Sequence, residues 1–465
     1  MSSMRAMTVV AFVALAPSAR ASELSLNEVL VAVDRAFPAN LAAQADYDTA
    51  RADQLTAAGG FDTSWKTKGS WTALGYYQDQ MRVDSVIERP TSLWGSSFFV
   101  GWRYGSGKFP SYYQNYQSLD AGDFRVGTNV PMLRNGFTDR RRVALFRAEL
   151  GTEVALLSVA QQRLEARRAA SLRYWAWLAS AKRVGVARDV LALAEVRDVA
   201  LEQRVRAGEI AQVERTENAR GIAQRRAQLV AAERALQQST IELGLYLRDA
   251  EGAVLRPDIS RAPADFPVVE SKLVSANSLV REAEARRPEP ARLALQRRQF
   301  AAEVSLTKNQ LLPVLDLQAV LSQDVGHPIE GRPDLSKPVL ELGIVLEIPL
   351  ENRALRGRRD AALAGALKLE AQERLARDRV RAEVDDALSA QQAAIARIAA
   401  ARDEVRLASA VEQAERIRFD QGDGSMLFVN QREQLTAEAR LRELEAKADA
   451  ARADADLAAA TALLP

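Results

Sequence analysis

The side chains best placed to do chemistry are acids grouped around two glycines. Glu209 and Glu214 follow Gly208, while Asp420 and Asp423 flank Gly422. Carboxylates gathered at an opening favour cations over anions. The same acids early in a helix also complement its dipole, so each has a purely structural reading as well. Arg206 stands two residues before the first glycine. Two further basic groups, Arg140, Arg141 and Arg142 in one place and Arg353, Arg356, Arg358 and Arg359 in another, open expected helices. A helix start disfavours cations, which points to anionic groups at a bilayer face or to pairing with Asp139 and Asp360. Catalysis has little footing. His327 is the only histidine and lies in a Gly/Pro-containing loop. No phosphate-binding glycine loop or zinc motif is present, so no enzyme activity, cofactor or metal site is expected. Tyr174, Trp175 and Trp177 fall inside a long helix and are expected to pack between helices.

The surroundings of these residues follow from composition. Arg5 precedes an apolar run from Thr8 to Ala16, and Ala19-Arg20-Ala21 suits cleavage before Ser22. Residues 1–21 therefore read as a signal peptide, too short to remain as a membrane helix. Their removal takes away two arginines and no acid, leaving 61 charges of each sign. That balance gives no reason to expect a nucleic-acid partner. The chain has no cysteine, which rules out disulfides, thiolate metal sites and a lipid on an N-terminal cysteine. The remainder has no apolar run of 18 residues, so no helical span is expected.

Most of the sequence is rich in Ala, Leu, Arg and Glu with helical periodicity. Helices are expected over 25–58, 138–206, 209–248, 273–311, 352–420 and 425–462. Residues 59–135 and 312–351 are strand- and turn-like. The chain repeats itself. A first repeat spans 22–250, a Pro-containing linker 251–272, and a second repeat 273–465. Each repeat runs short helix, strands, long helix, turn, medium helix. Val130-Pro131-Met132-Leu133 in one half corresponds to Ile348-Pro349-Leu350 in the other, and Arg140 and Arg141 correspond to Arg358 and Arg359. At about 1.5 Å per residue the long helices reach roughly 100 Å. The short and medium helices of one half together match that length as antiparallel partners.

The strand-like segments alternate. Phe61, Trp65 and Trp71 share one face, opposite Lys66, Lys68 and Ser70. Trp94, Phe98 and Trp102 share another, and Leu342 and Ile344 lie opposite Glu341 and Glu347. Period two with aromatic ends suits barrel strands having one lipid face and one wet face; a soluble sandwich alternates equally well. Helices enter and leave each strand region on one side, so each half crosses an even number of times. Two crossings per half give four, too few to close a barrel, and an open edge is not viable in lipid. The chain must then oligomerise. Residues 76–123 exceed a hairpin loop, and either extend outside the cell or add a strand pair.

Five sequence pieces, in order, resemble the TolC family of outer-membrane efflux proteins: Val130-Pro131 through Arg142, Arg204-Val205-Arg206-Ala207-Gly208, Asn309-Gln310-Leu311-Leu312-Pro313, Ile348-Pro349-Leu350 through Arg359, and Arg418-Phe419-Asp420-Gln421-Gly422. The resemblance spans nearly the whole chain after residue 21. It implies a mainly α fold with a β-barrel part: four membrane strands per protomer and long periplasmic helical hairpins. It also implies a homotrimer with a 12-stranded barrel and a 12-helix tunnel. A periplasmic adaptor (membrane fusion) protein and an inner-membrane transporter would be partners, and outer-membrane lipid would surround the strands. The function implied is a passive export conduit of a tripartite efflux pump or type I secretion system. Gly208 and Gly422 would mark the hairpin tips, hence gate and docking site. Family members often carry an aspartate six residues after the turn glycine. Here Glu214 holds that place in the first half and Phe428 in the second, so only the first hairpin keeps its acid. The competing reading is a soluble periplasmic coiled-coil adaptor or scaffold. Adaptors have helical hairpins but lack paired, lipid-type strand regions ahead of each long helix.

Overall fold

The structure is a computed structural model and describes residues 22–73, 79–107, 109, 117–270, 275–327 and 337–464. The expected signal peptide, 1–21, lies outside them. In chain order the elements are α1 (Leu26–Ala36), α2 (Pro38–Ala58), β1 (Ser64–Thr72), β2 (Gln80–Pro90), β3 (Ser97–Gly107), β4 (Asp123–Pro131), α3 (Arg140–Arg206), α4 (Gln212–Gly244), α5 (Ala276–Arg286), α6 (Pro288–Gln310), β5 (Val314–Asp324), β6 (Val339–Glu347), α7 (Arg353–Asp420) and α8 (Met426–Ala460).

Helix ends follow local chemistry. The two expected short helices each break in two at a proline. Phe37 and Arg287 are extended, and Pro38 and Pro288 then open α2 and α6 at a first helical position, where no amide bond is lost. Asp139 caps α3 by accepting the amides of Arg141 and Arg142. The 67-residue α3 and 68-residue α7 form the long axis, each about 100 Å. α2 and α4 pack along α3, α6 and α8 along α7, and α3 also meets α6 and α8. Phe300 lies so close to Gly365 that an added Cβ would sit 2.3 Å from its ring, so α6 and α7 approach through that glycine.

Midway along α3 sits the main apolar core. Trp177, Leu178, Ala170, Val29, Val33 and Leu243 are fully buried there. Tyr174 donates its hydroxyl to the Leu24 carbonyl at 2.7 Å. The tyrosine–tryptophan group is therefore helix packing, as its sequence position suggested. The segment after α4 is packed too. Phe266 is buried against Trp175, ring centroids 6.1 Å apart, and Arg261 pairs with Glu28 at 2.8 Å. Those contacts tie the Pro-containing segment to α3 and α1.

The strands make one antiparallel sheet in sequence order, β1 to β6. Where four strands were expected the sheet has six, because residues 76–123 contribute β2 and β3. Pro90 lacks a ladder donor and ends β2; the turn that follows closes with the Thr91 amide donating to the Ser96 carbonyl at 2.8 Å. Two expected strand residues consequently lie elsewhere. Phe61 ends a 3-10 turn before β1. Trp94 sits in the β2–β3 turn at φ 53°, its ring tilted against Phe137 at 6.0 Å.

Candidate functional site

The two hairpin tips are built alike. Gly208 and Gly422 adopt φ 75° and 85°, the left-handed region that glycine enters without penalty. Behind each, an amide reaches back to an arginine carbonyl: Glu209 to Arg204 at 3.0 Å and Asp423 to Arg418 at 2.9 Å. A Cβ at either glycine would meet nothing within 4 Å, so backbone conformation alone demands the residue.

Side chains then join tip to tip. Leu201, Phe419, Met426 and Val429 form a small buried cluster with Ile210 against it. The Arg204 guanidinium lies 5.3 Å above the Phe419 ring and between Glu209 at 3.6 Å and Asp420 at 3.7 Å. Glu214 accepts the Met426 amide at 2.7 Å. That amide opens α8, whose own N-cap, Ser425, makes no side-chain bond. The first hairpin thus caps the second. Arg206 pairs with Glu202 on its own helix. Of the expected acids, Glu209 and Asp420 share a cation and Glu214 serves a helix start, while the Asp423 backbone forms its own turn.

About two turns into α8 is a polar lock that the sequence reading missed. Glu433 is 3% exposed. It accepts from Arg197 of α3, from Arg225 of α4 at 2.9 Å and from Arg416 of α7 at 2.8 Å. Asn218 and Asn430, both buried, bind the same Arg197 at 3.0 Å. Burial pushes the Glu433 carboxyl up. The hydrogen bond and charge of Arg197, with the charges of Arg225 and Arg416, outweigh that and hold it below the usual glutamate range. For Arg225, burial dominates and lowers its pKa. One carboxylate therefore fastens four helices from both repeats. Its partners stand 17, 208 and 236 residues away, so no local spacing could have disclosed it.

Beside the lock, a groove of about 550 Å³ runs between α4 and α8 over α3, with Val186, Val190, Gln224, Leu427, Gln431 and Leu441 in its wall.

At the opposite end lies the sheet. Trp65, Trp71, Phe98, Trp102, Leu342 and Ile344 all stand on one of its faces, as the register β1↔β2↔β3↔β4↔β5↔β6 requires. Met81, Ile87, Val100, Phe124, Val126 and Leu321 complete that face, and all are exposed. Lys66, Asp84, Arg103, Arg125, Gln318 and Glu341 lie on the other. Of the expected basic belt, Arg142 is spent locally, paired with Asp139 and donating to the Gly136 carbonyl at 2.6 Å. Arg359 pairs with Asp360 at 2.8 Å. Arg140, Arg141 and Arg358 remain exposed at the sheet end of α3 and α7. Among the described residues no helix is long and apolar enough to cross a membrane, and no acid or histidine cluster could hold a metal ion.

Comparison with known proteins agrees with this anatomy. Residues 279–463 match the family described as outer membrane efflux protein. The structure resembles CusC (TM-score 0.69, 14% identity, 99% of this chain and 98% of that one). It also resembles VceC of Vibrio cholerae (0.66, 16%, 94% and 95%) and the open state of MtrE of Neisseria gonorrhoeae (0.66, 15%, 94% and 88%). No curated protein matches at a significant level. The whole chain thus shares the fold of these outer-membrane channels, and its second half resembles the outer membrane efflux protein family.

Proposed function

We propose that three copies of this chain form a passive conduit carrying substrate across the periplasm and outer membrane, powered by an inner-membrane transporter and joined to it by a periplasmic adaptor. The observation that carries the reading is the sheet: one continuous apolar face is exposed across six strands. Such a face is costly in water and stable in lipid. The helices standing on the sheet's other end supply the periplasmic reach, and the tips with their acids form the entrance. The groove between α4 and α8 has the shape and mixed apolar–amide lining that an adaptor helix would fill. Trp65, Trp71, Phe98, Trp102, Leu342 and Ile344 face lipid in this reading. Arg140, Arg141 and Arg358 meet anionic groups at the inner surface of the bilayer.

The test is fractionation and conductance of the full chain. Recovery in the outer-membrane fraction, a native mass of three chains in mild detergent, and ion conduction across a planar bilayer are expected. Release by osmotic shock as a soluble, non-conducting protein would instead establish a periplasmic scaffold.

A further inference from the structure

We propose that the channel wall is an 18-stranded barrel, each copy supplying all six strands and sealing to the next through β6 against the neighbour's β1. This rests on the trimer reading above. Within one chain β1 and β6 are the two ends of the sheet, each paired on one side only. In lipid those unpaired amides and carbonyls need a partner. A second copy supplies it in the correct sense, because the first and last strands of a six-stranded antiparallel sheet run oppositely.

All six strands belong to the wall. β2 and β3 place Met81, Val83, Ile87, Phe98, Val100 and Trp102 on the same apolar face as their neighbours, so the added pair is not a hydrophilic excursion. The helical layer has matching width. Next to the sheet, α2, α3, α6 and α7 pack in that lateral order, spanning roughly 35 Å at 8–10 Å per helix. Six strands tilted as in a barrel span about the same; four would cover only about two thirds of it.

With the seam register chosen, the intrachain registers set the tilt. Directly opposed partners lead from Ser64 through Glu88, Phe99, Gly127 and Val320 to Glu341. Ser64 begins β1 at the helix side, whereas Glu341 is six residues from Glu347, the helix-side end of β6. If strand ends are level at the seam, six strands advance six residues. Equal strand number and shear give a tilt of about 36°, within the range of membrane barrels. That seam sets Trp65 opposite Leu346 and Trp71 opposite Leu340. It also brings Lys66 diagonal to Glu347 and Lys68 diagonal to Glu341, opposite charges at reachable distance. Within the chain, Lys68, Glu341 and Glu347 make no ion pair among the described residues. The resulting barrel is about 34 Å across its backbone, against about 23 Å for twelve strands at equal tilt.

The chain has no cysteine, so introduced pairs report cleanly. Thr67→Cys with Ile344→Cys, and Lys68→Cys with Gly343→Cys, should each yield covalent two- and three-chain species on oxidation. Lys68→Cys with Glu347→Cys, out of register, should not. Single Val83→Cys and Val100→Cys proteins should resist a membrane-impermeant maleimide on intact cells. A three-chain native mass with both in-register pairs uncrosslinked, or with Val83→Cys and Val100→Cys labelled from outside, overturns the 18-strand wall while leaving the trimer standing. A native mass other than three chains overturns both.

Discussion

Glu433 concentrates more consequence than any other side chain. Removing one member of a buried ion pair leaves its partners charged and dry, a loss of about 3–5 kcal/mol. Glu433→Gln should therefore lower the unfolding free energy from denaturant titration by that amount, with Arg197, Arg225 and Arg416 losing their common acceptor. The carboxyl is held below its ordinary value, so its stabilisation is fully present above the unfolded glutamate pKa of about 4.3. It disappears as pH falls through the lower folded value. Denaturation followed from pH 6 downward should show wild type losing stability in that window, with a smaller loss in Glu433→Gln. Glu214 carries a second, milder prediction. Glu214→Ala frees the Met426 amide and should cost about 1 kcal/mol, seen as faster hydrogen exchange in the first turn of α8 and unchanged exchange mid-helix.

At the scale of elements, the tip turns test whether glycine serves conformation or packing. Gly208→Ala meets no neighbour, so the whole cost is the left-handed backbone, about 1–2 kcal/mol. Gly208→Asn should recover part of it in the same denaturation experiment, since asparagine tolerates that region. The long helices and tip turns were legible because periodicity, glycine and flanking charge are local signals. α3 was expected to end at residue 206, and Arg206 is its last residue. Helical composition runs on across Pro38 and Pro288, yet each proline holds the residue before it extended and splits the helix. Phe61 and Trp94 fit the alternation of their strands but precede the first ladder pairs, Ser64↔Glu88 and Pro90↔Ser97. Side-chain parity alone does not mark where pairing begins.

For the whole molecule, the proposed conduit sets the exposed apolar face against lipid. Ile344→Arg puts a guanidinium near the middle of β6, at a cost of about 2–4 kcal/mol in a bilayer. The variant should accumulate outside the outer-membrane fraction, whereas Gln318→Arg on the opposite face of β5 should insert. Conductance separates the two faces further: a change at Gln318 alters ion selectivity, and one at Ile344 alters yield.

Helix, strand and turn follow from short-range patterns, which a linear sequence carries intact. Assignment of β2 and β3 to the sheet required the pairing register, because alternation marks a strand without naming its neighbours. Glu433 and the Glu214 cap required the packed hairpins themselves. A buried charge is defined by what surrounds it, and its surroundings come from helices hundreds of residues apart.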